Sequence, residues 1–398
     1  MAAIATPAAR VFLEQVPDYD PGDVRAAVFR LLERTAPPVR PGDRVLIKPN
    51  FLAPAPPARA ITTHPQVVRA AAEWALGRGG RVLVADSPGM GSFERLVREG
   101  GYAAALAGLP LEIRAFRETA PVDIGPPFGS IPLAREALAA DVVLNLPKLK
   151  SHCMMLLTLG VKNLFGCVVG LAKPEWHLRC GIDRASFARL LVGIYTAVRP
   201  AVTLLDGILA LEGDGPGKGG SPRPIGVLLA SPTAPALDAT VCRMLGLRPE
   251  ELPTHRAALE RGALPPAVAL EGDLPRVAGF RFPVLAPVTF GPRRLEHLMR
   301  MHLVQRPVLR PKALCRGCGE CVRACPVKAV APRRGNVAFD YRRCIRCYCC
   351  VEMCPHGLLQ TAETAPGRLL RHLASLRDRL ARRPRRPEET ERKRSRCT

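Results

Sequence analysis

The sequence predicts an α/β protein, with a mostly parallel sheet carrying helices on both faces and a small cysteine-rich domain after it. Three observations carry this reading. Short apolar strands (Arg44-Val45-Leu46-Ile47, Arg81-Val82-Leu83-Val84 and Asp141-Val142-Val143-Leu144) alternate with helical stretches, the pattern of a sheet buried on both faces. The 398 residues, 47% of them apolar, suffice for two or three domains with a sizeable core. Near the C-terminus one cysteine spacing occurs twice. Cys315-x2-Cys318-x2-Cys321-x3-Cys325-Pro326 returns as Cys344-x2-Cys347-x2-Cys350-x3-Cys354-Pro355.

The elements follow in order. A strand is expected around Val11-Phe12-Leu13. Asp20-Pro21 supplies an N-cap and a first-turn proline, and Val24, Val28, Leu31 and Leu32 keep helical spacing to about Thr35. Pro65 opens a helix that Gly77 closes. Strands end at Lys48-Pro49-Asn50, at Asp86-Ser87 and at Asn145-Leu146-Pro147-Lys148. A short helix is expected from Ser92 to Arg98, a strand over Leu111–Phe116 and helices over Leu133–Ala140, Met154–Val169 and Arg184–Val198. Val202–Leu205 and Ile225–Ala230 read as strands, Gly213–Gly220 as a glycine-rich loop, and Ala236–Leu245 as a helix. The chain is divided into an α/β domain at 1–272, a connecting segment at 273–307, a cysteine-rich domain at 308–361 and a basic tail at 362–398. In the tail Leu369, Leu373, Leu376 and Leu380 share one helical face.

The doubled run is the ligand pattern of a bacterial two-cluster ferredoxin, in which each run gives three thiolates to one [4Fe–4S] cluster and its fourth to the other. One cluster is thus assigned to Cys315, Cys318, Cys321 and Cys354, the second to Cys344, Cys347, Cys350 and Cys325. Zinc sites take tetrahedral sets of four rather than three plus one, twice over. Cys349 lies beside Cys350, breaks no ligand spacing, and reads as a packed thiol rather than a ninth ligand. Iron–sulfur ligands need reduced thiols, so a cytoplasmic location is expected. No secretory signal is read at the N-terminus. Cys153–Ala172 is not read as a membrane span, because Lys162, Asn163 and three glycines interrupt it.

The formal charge is +23. Between Arg293 and Cys350 stand 14 Lys/Arg against three acids, a local excess that offsets anionic clusters; the tail from Thr364 adds 12 basic residues against four acidic ones. No nucleic-acid-binding motif accompanies the charge, and membrane contact is considered only for the tail helix. Lysine is more informative. Only nine of the 58 basic residues are Lys, yet Lys148, Lys150, Lys162 and Lys173 fall within 26 residues. Lys is a mobile point charge whose pKa shifts readily, Arg a rigid fork, so these positions read as places where Arg would not serve.

In open α/β sheets ligands bind beyond the carboxyl ends of the strands. Those ends here carry Lys48, Asn50, Asp86, Asn145 and Asp206, with Asn163 close by in sequence to Lys162. Lys148, Lys150, His152 and Lys162 are the candidate catalytic or anion-binding groups, and Lys48, Asn50, Asp86, Asn145, Asn163 and Asp206 the candidate ligand-binding ones. Gly213–Gly219 reads as a lid and fails as a P-loop, since Gly219 stands where Ser or Thr is needed.

Several stretches together resemble the iron–sulfur proteins of the domain of unknown function 362 family. They are Ile47-Lys48-Pro49-Asn50, Thr63-His64-Pro65, Asp86-Ser87, Asn145 to His152, Val161 to Gly166, Asp206-Gly207 and Glu212 to Pro216, and the second cysteine run is similar too. The resemblance spans roughly residues 40–360. It implies an α/β domain fused to a two-cluster ferredoxin domain and supplies no reaction.

The expected function is electron transfer through two [4Fe–4S] clusters, in an oxidoreductase acting on an anionic ligand held by the α/β domain. The alternative is a non-catalytic electron carrier or redox sensor whose α/β domain docks a partner. A redox partner protein or a small anionic ligand is expected in either case.

Overall fold

The computed structural model describes residues 8–89, 91–170, 172–180, 183–264, 267–283, 301–302, 304–369 and 372. The α/β part is built on one ten-stranded sheet. Its strands are β1 (Ala9–Gln15), β2 (Arg44–Pro49), β3 (Arg81–Asp86), β4 (Glu112–Ala115), β7 (Val142–Leu146), β8 (Lys148–His152), β9 (Leu156–Thr158), β10 (Val202–Gly213), β11 (Gly220–Ser231) and β12 (Val268–Glu271), while β5 (Thr119–Asp123) and β6 (Ser130–Ala134) form a separate hairpin. The order is β12-β1-β11-β10-β7-β2-β3-β4, with β8 on β10 and β9 on β8. Pairings are parallel except β1–β11, β10–β11 and β8–β9. The sheet is thus mostly parallel, as the alternation of elements implied.

Successive residues on a strand face opposite sides, and the two cores show it. Val45, Ile47, Val142 and Leu144 pack with the helices Pro21–Thr35 and Pro65–Leu76. Leu46 and Val143 pack on the other side with Phe187, Leu190, Leu191 and Ile194 of the helix Arg184–Val198. The second core continues into the cysteine-rich part through Val330, Val337, Tyr348 and Leu359. Helix ends follow local chemistry. Asp20 accepts from the Gly22 and Asp23 amides, and Gly77 closes the helix that Pro65 opens.

Three expectations fail. Met154–Val169 is not one helix: it holds β9, a turn of helix at Gly160–Asn163 and a 3₁₀ turn at Leu164–Cys167. His152 Nδ1 accepts from the Met154 and Met155 amides, and the buried Asp238 from those of Gly160 and Val161, so backbone donors needed for a continuous helix are taken elsewhere. Leu133 lies in β6, which runs to Ala134, and the helix begins only at Arg135. The segment after Pro147, to which the sequence reading assigns no element, is the strand β8. Gly213–Gly220 closes the β10–β11 hairpin and is pinned instead of free to act as a lid. The Gly215 amide donates to Ser151 Oγ at 3.2 Å, and Arg310 bridges Asp214 and the Gly219 carbonyl.

In the cysteine-rich part β13 (Arg306–Leu309) pairs with β16 (Leu359–Ala362), and β14 (Val330–Arg333) with β15 (Asn336–Phe339), all antiparallel. Short helices at Glu320–Arg323 and Cys349–Glu352 carry the later cysteines of each run. Residues 365–369 are helical; Leu373, Leu376 and Leu380 lie outside the described residues. No helix among those described is long and apolar enough to cross a membrane.

Candidate functional site

The thiols come first. One small cavity is lined by Cys315, Cys318 and Cys321 of the first run together with Cys354 of the second. Around Cys350 stand Cys347, Cys344 and Cys325, with Cys321 also near. Burial, reinforced by these neighbours, raises the Cys350 and Cys321 pKa values, Cys321 to about 11. All described cysteines are free. Backbone amides donate to sulfur from Ala329 to Cys325 at 3.1 Å and from Leu358 to Cys354 at 3.3 Å, contacts that favour a thiolate. Two groups of four thiols with amide donors aimed at sulfur fit iron–sulfur ligation. Cys349 hydrogen-bonds to Cys347 and lowers its pKa, and also lines a second, larger cavity.

That larger cavity, of about 360 Å³, lies between the two parts of the chain. Asn50, Asp86, Lys150, His152, Lys162 and Asn163 line it from the sheet side, and Ala324, Cys349, Glu352 and Met353 from the cysteine-rich side. The strand β8 explains part of the arrangement. Lys148, Lys150 and His152 alternate along it, so they share one face, while Leu149 packs into a core. The three side chains end at three different partners.

Lys148 donates to Asp206 Oδ2 at 2.8 Å and to the Tyr19 hydroxyl at 2.6 Å. Lys48 pairs with Asp86 Oδ1 at 2.9 Å. Both pairs are almost wholly buried, and buried charges persist only when paired. The four lysines are therefore not one set of free cations. Lys48, Lys148, Asn145 and Asp206 do not line the cavity; they stand outside its wall as satisfied pairs and amides. An amide chain connects some of them to it. Lys150 donates to Asn50 Oδ1 at 2.7 Å, Asn50 to Asn163 Oδ1 at 2.9 Å, Asn163 to Asn145 Oδ1 at 2.8 Å, and Asn145 to the Gly160 carbonyl at 3.0 Å. Gly166 is needed beside the Lys48 pair, because a Cβ there would lie 2.1 Å from Asp86 Oδ1.

Three groups at the cavity are left without an aligned partner. Lys162 Nζ makes no hydrogen bond to a described residue; it lies 5.8 Å from the centre of the Phe165 ring. Burial lowers its pKa against the pull of Glu352. His152 Nε2 and Glu352 Oε1 are 3.1 Å apart but meet obliquely, and neither has a well-aligned hydrogen bond. Since His152 Nδ1 accepts two backbone amides, its proton sits on Nε2. Burial, then Lys162, lowers the His152 pKa to about 4, so the ring is neutral near pH 7. Burial pushes the Glu352 pKa up, yet His152 and Lys162 together bring it down to about 2. His152, Cys153 and Glu352 converge closely enough to suggest a metal, but a cation at Nε2 would have to displace the proton that Nδ1 fixes there.

Three residues escaped the sequence reading of the site. Glu352 is the only acid between Asp340 and Glu363, a weak signal available beforehand. Lys173 belongs to the lysine cluster and reaches the cavity, where it donates to the Ser87 carbonyl at 2.6 Å; burial lowers its pKa to about 8. Tyr19 had no signal, since only the fold brings it to Asp206.

The chain matches two family models, "Domain of unknown function (DUF362)" over residues 45–243 and "4Fe-4S dicluster domain" over residues 307–355. A thylakoid-associated protein of Synechocystis sp. is 40% identical over 302 residues, covering 74% of this chain and 94% of that protein. The electron transport protein HydN of Escherichia coli is 32% identical over 78 residues, 19% of this chain and 41% of HydN. A solved structure, the lactate racemase apoprotein from Thermoanaerobacterium thermosaccharolyticum, aligns with 52% of this chain and 51% of its own at 12% identity and a TM-score of 0.32, a likeness from which nothing is carried over.

Proposed function

The chain belongs to the DUF362 family and carries a 4Fe-4S dicluster domain, and from that premise we propose that it is an electron-transfer protein of oxidoreductase type acting on a small anion held between its two parts. Cys315, Cys318, Cys321 and Cys354 would hold one [4Fe–4S] cluster, and Cys344, Cys347, Cys350 and Cys325 the other. Bound there, the clusters supply single electrons. Every other role falls to the cavity residues. Lys162 binds the anion, with Lys150 adding positive potential. The neutral His152 donates its Nε2–H to the same ligand, and Glu352 accepts from a hydroxyl or amine on it. Phe51, Phe165 and Met353 keep water away.

One observation carries this reading. His152 Nε2 and Glu352 Oε1 stand at one cavity without aligned hydrogen bonds. Lys162 lines the same cavity with its Nζ beside the Phe165 ring, and buried polar groups are ordinarily paired. A ligand that pairs all three is an oxyanion with an adjacent hydrogen-bond donor. Thermal melting of the anaerobic holoprotein with acetate and glycolate tests it. Glycolate should raise the melting temperature more than acetate, by the mass-action term for a ligand bound only to the folded state, and Lys162→Met should remove the effect. Equal shifts in wild type and Lys162→Met would contradict the assignment.

A second reading, an electron carrier or redox sensor without chemistry of its own, draws on the likeness to HydN. It predicts no response to either anion. The requirement for reduced thiols favours a reducing compartment such as the cytoplasm; the Synechocystis relative is named as thylakoid-associated.

A further inference from the structure

The two thiol groups face different surroundings. In the first group Cys318 is exposed, Cys315 and Cys321 half-buried and Cys354 buried, whereas in the second Cys347 and Cys350 are buried, Cys325 and Cys344 half-buried, and no thiol is exposed. The second group borders the cavity through Ala324, next to Cys325, and Cys349, next to Cys350; Glu320 and Arg323 of the helix carrying Cys321 line it as well. The first opens outward. The helices Glu320–Arg323 and Cys349–Glu352, which carry Cys321 and Cys350, pack against each other, so the two groups adjoin and together connect the outer surface to the cavity.

Next to the outward group the surface is unusual. Leu314 is 76% exposed, the highest value for a large apolar side chain among the described residues. The Cys315 amide donates to the Gly335 carbonyl at 3.0 Å, which seats the tip of the β14–β15 hairpin against Leu314. Exposed Lys312 and Arg316 flank Leu314 in sequence, and exposed Arg333 and Arg334 flank it across the hairpin. None of these four forms an ion pair with a described residue, although most described arginines of the α/β part have an acidic partner. Residues 310–346 hold ten Lys/Arg and two acids, so two clusters of about −2 each would leave the region positive. A lone exposed Leu means little. An apolar centre ringed by unpaired cations at the exposed end of a redox centre has the anatomy of an interface.

We propose that this face, Leu314 with Lys312, Arg316, Arg333 and Arg334, is the docking site of an acidic one-electron carrier protein, and that electrons enter at the Cys315–Cys318–Cys321 group. The proposal rests on the cluster assignment above. The exchange is one electron: the carrier is oxidised, the first centre is reduced, and no bond or proton moves. Charge complementarity selects the carrier. Unpaired cations steer an acidic protein to the surface, and the leucine supplies the dehydrated contact that electrostatics alone lacks.

The test is anaerobic stopped-flow reduction of the holoprotein. A reduced acidic plant-type ferredoxin serves as the macromolecular donor and methyl viologen radical cation as the small one. The variant combines Leu314→Ser, Arg316→Glu and Arg334→Glu. The ferredoxin rate should fall about tenfold or more in the variant and, in wild type, drop steeply with salt. Iron content and the methyl viologen rate should stay unchanged. An unchanged ferredoxin rate at normal iron content overturns the docking site alone. Absence of cluster iron in wild type overturns the cluster assignment and this proposal with it. If the variant loses binding to phosphatidylserine vesicles while its ferredoxin rate is unchanged, the face is a membrane contact and the proposal is wrong.

Discussion

His152 Nε2 at the end of β8 lies 3.1 Å from Oε1 of Glu352, a residue on the short helix that also carries Cys349 and Cys350. This contact ties the sheet to the cysteine-rich part and places an anion beside Lys162. Glu352→Ala leaves the buried His152 Nε2–H without its neighbouring acceptor, so it should cost about 1–3 kcal/mol. Glu352→Gln keeps an acceptor for His152 and should cost less. Guanidinium unfolding of the holoprotein checks both, and a change under about 0.5 kcal/mol in the alanine variant would contradict the pairing.

Lys148 and Lys162 should respond unequally to the same substitution. Lys148→Met strands Asp206 in the interior and should destabilise by about 3–5 kcal/mol. Lys162 has no acceptor among the described residues, so Lys162→Met should alter stability by only about 1 kcal/mol. Parallel melting curves decide the matter. Similar losses in both variants would show that Lys162 is paired after all.

Gly166→Ala drives a methyl group into the Lys48–Asp86 pair, where the nearest atoms are 2.1 Å and 2.6 Å from the Cβ position. The pair must move, at a cost of about 1–3 kcal/mol. A variant as stable as wild type would show that the strand ends are looser than described.

Of the histidines whose pKa burial lowers below 6.5, three fall far: His64 to about 4, His152 to about 4 and His177 to about 3. The folded chain excludes protons that the unfolded chain binds from about pH 6.5 downward. Their contribution is therefore complete above pH 6.5 and is lost as pH falls through 6.5 towards 4, by at most about 1.4 kcal/mol per pH unit for each group. His64→Gln should flatten the dependence of the unfolding midpoint on pH by close to one proton in that window. An unchanged slope would mean that His64 titrates normally in the folded chain.

Much of this was legible in the sequence where the determinant is local. Asp20-Pro21, Pro65 with Gly77, and the apolar spacing of Arg184–Val198 fix helices through their own caps and periodicity. β8 escaped because Lys-Leu-Lys-Ser-His alternates polar with mixed residues and follows a proline. The scarcity of lysine marked Lys150 and Lys162 correctly as neighbours of one cavity, but it could not reveal which lysines are neutralised. That is decided by strand order. β2 lies beside β3, which brings Lys48 to Asp86, and Asp206 of β10 registers directly with Lys148 of β8. Glu352 comes from another part of the chain, and no local pattern could have linked it to His152.

The central claim is that the cavity of Lys162, His152 and Glu352 serves the redox centre of the second cysteine run. Electron paramagnetic resonance of the reduced anaerobic protein, with and without glycolate, tests it most directly. Two interacting signals from about eight irons are expected. Glycolate should perturb the component that Cys325→Ala abolishes and leave the component that Cys354→Ala abolishes unchanged. Lys162→Met should make the spectrum indifferent to glycolate. If glycolate perturbs neither component in wild type, or perturbs only the one lost in Cys354→Ala, the cavity does not serve that centre and the account is wrong.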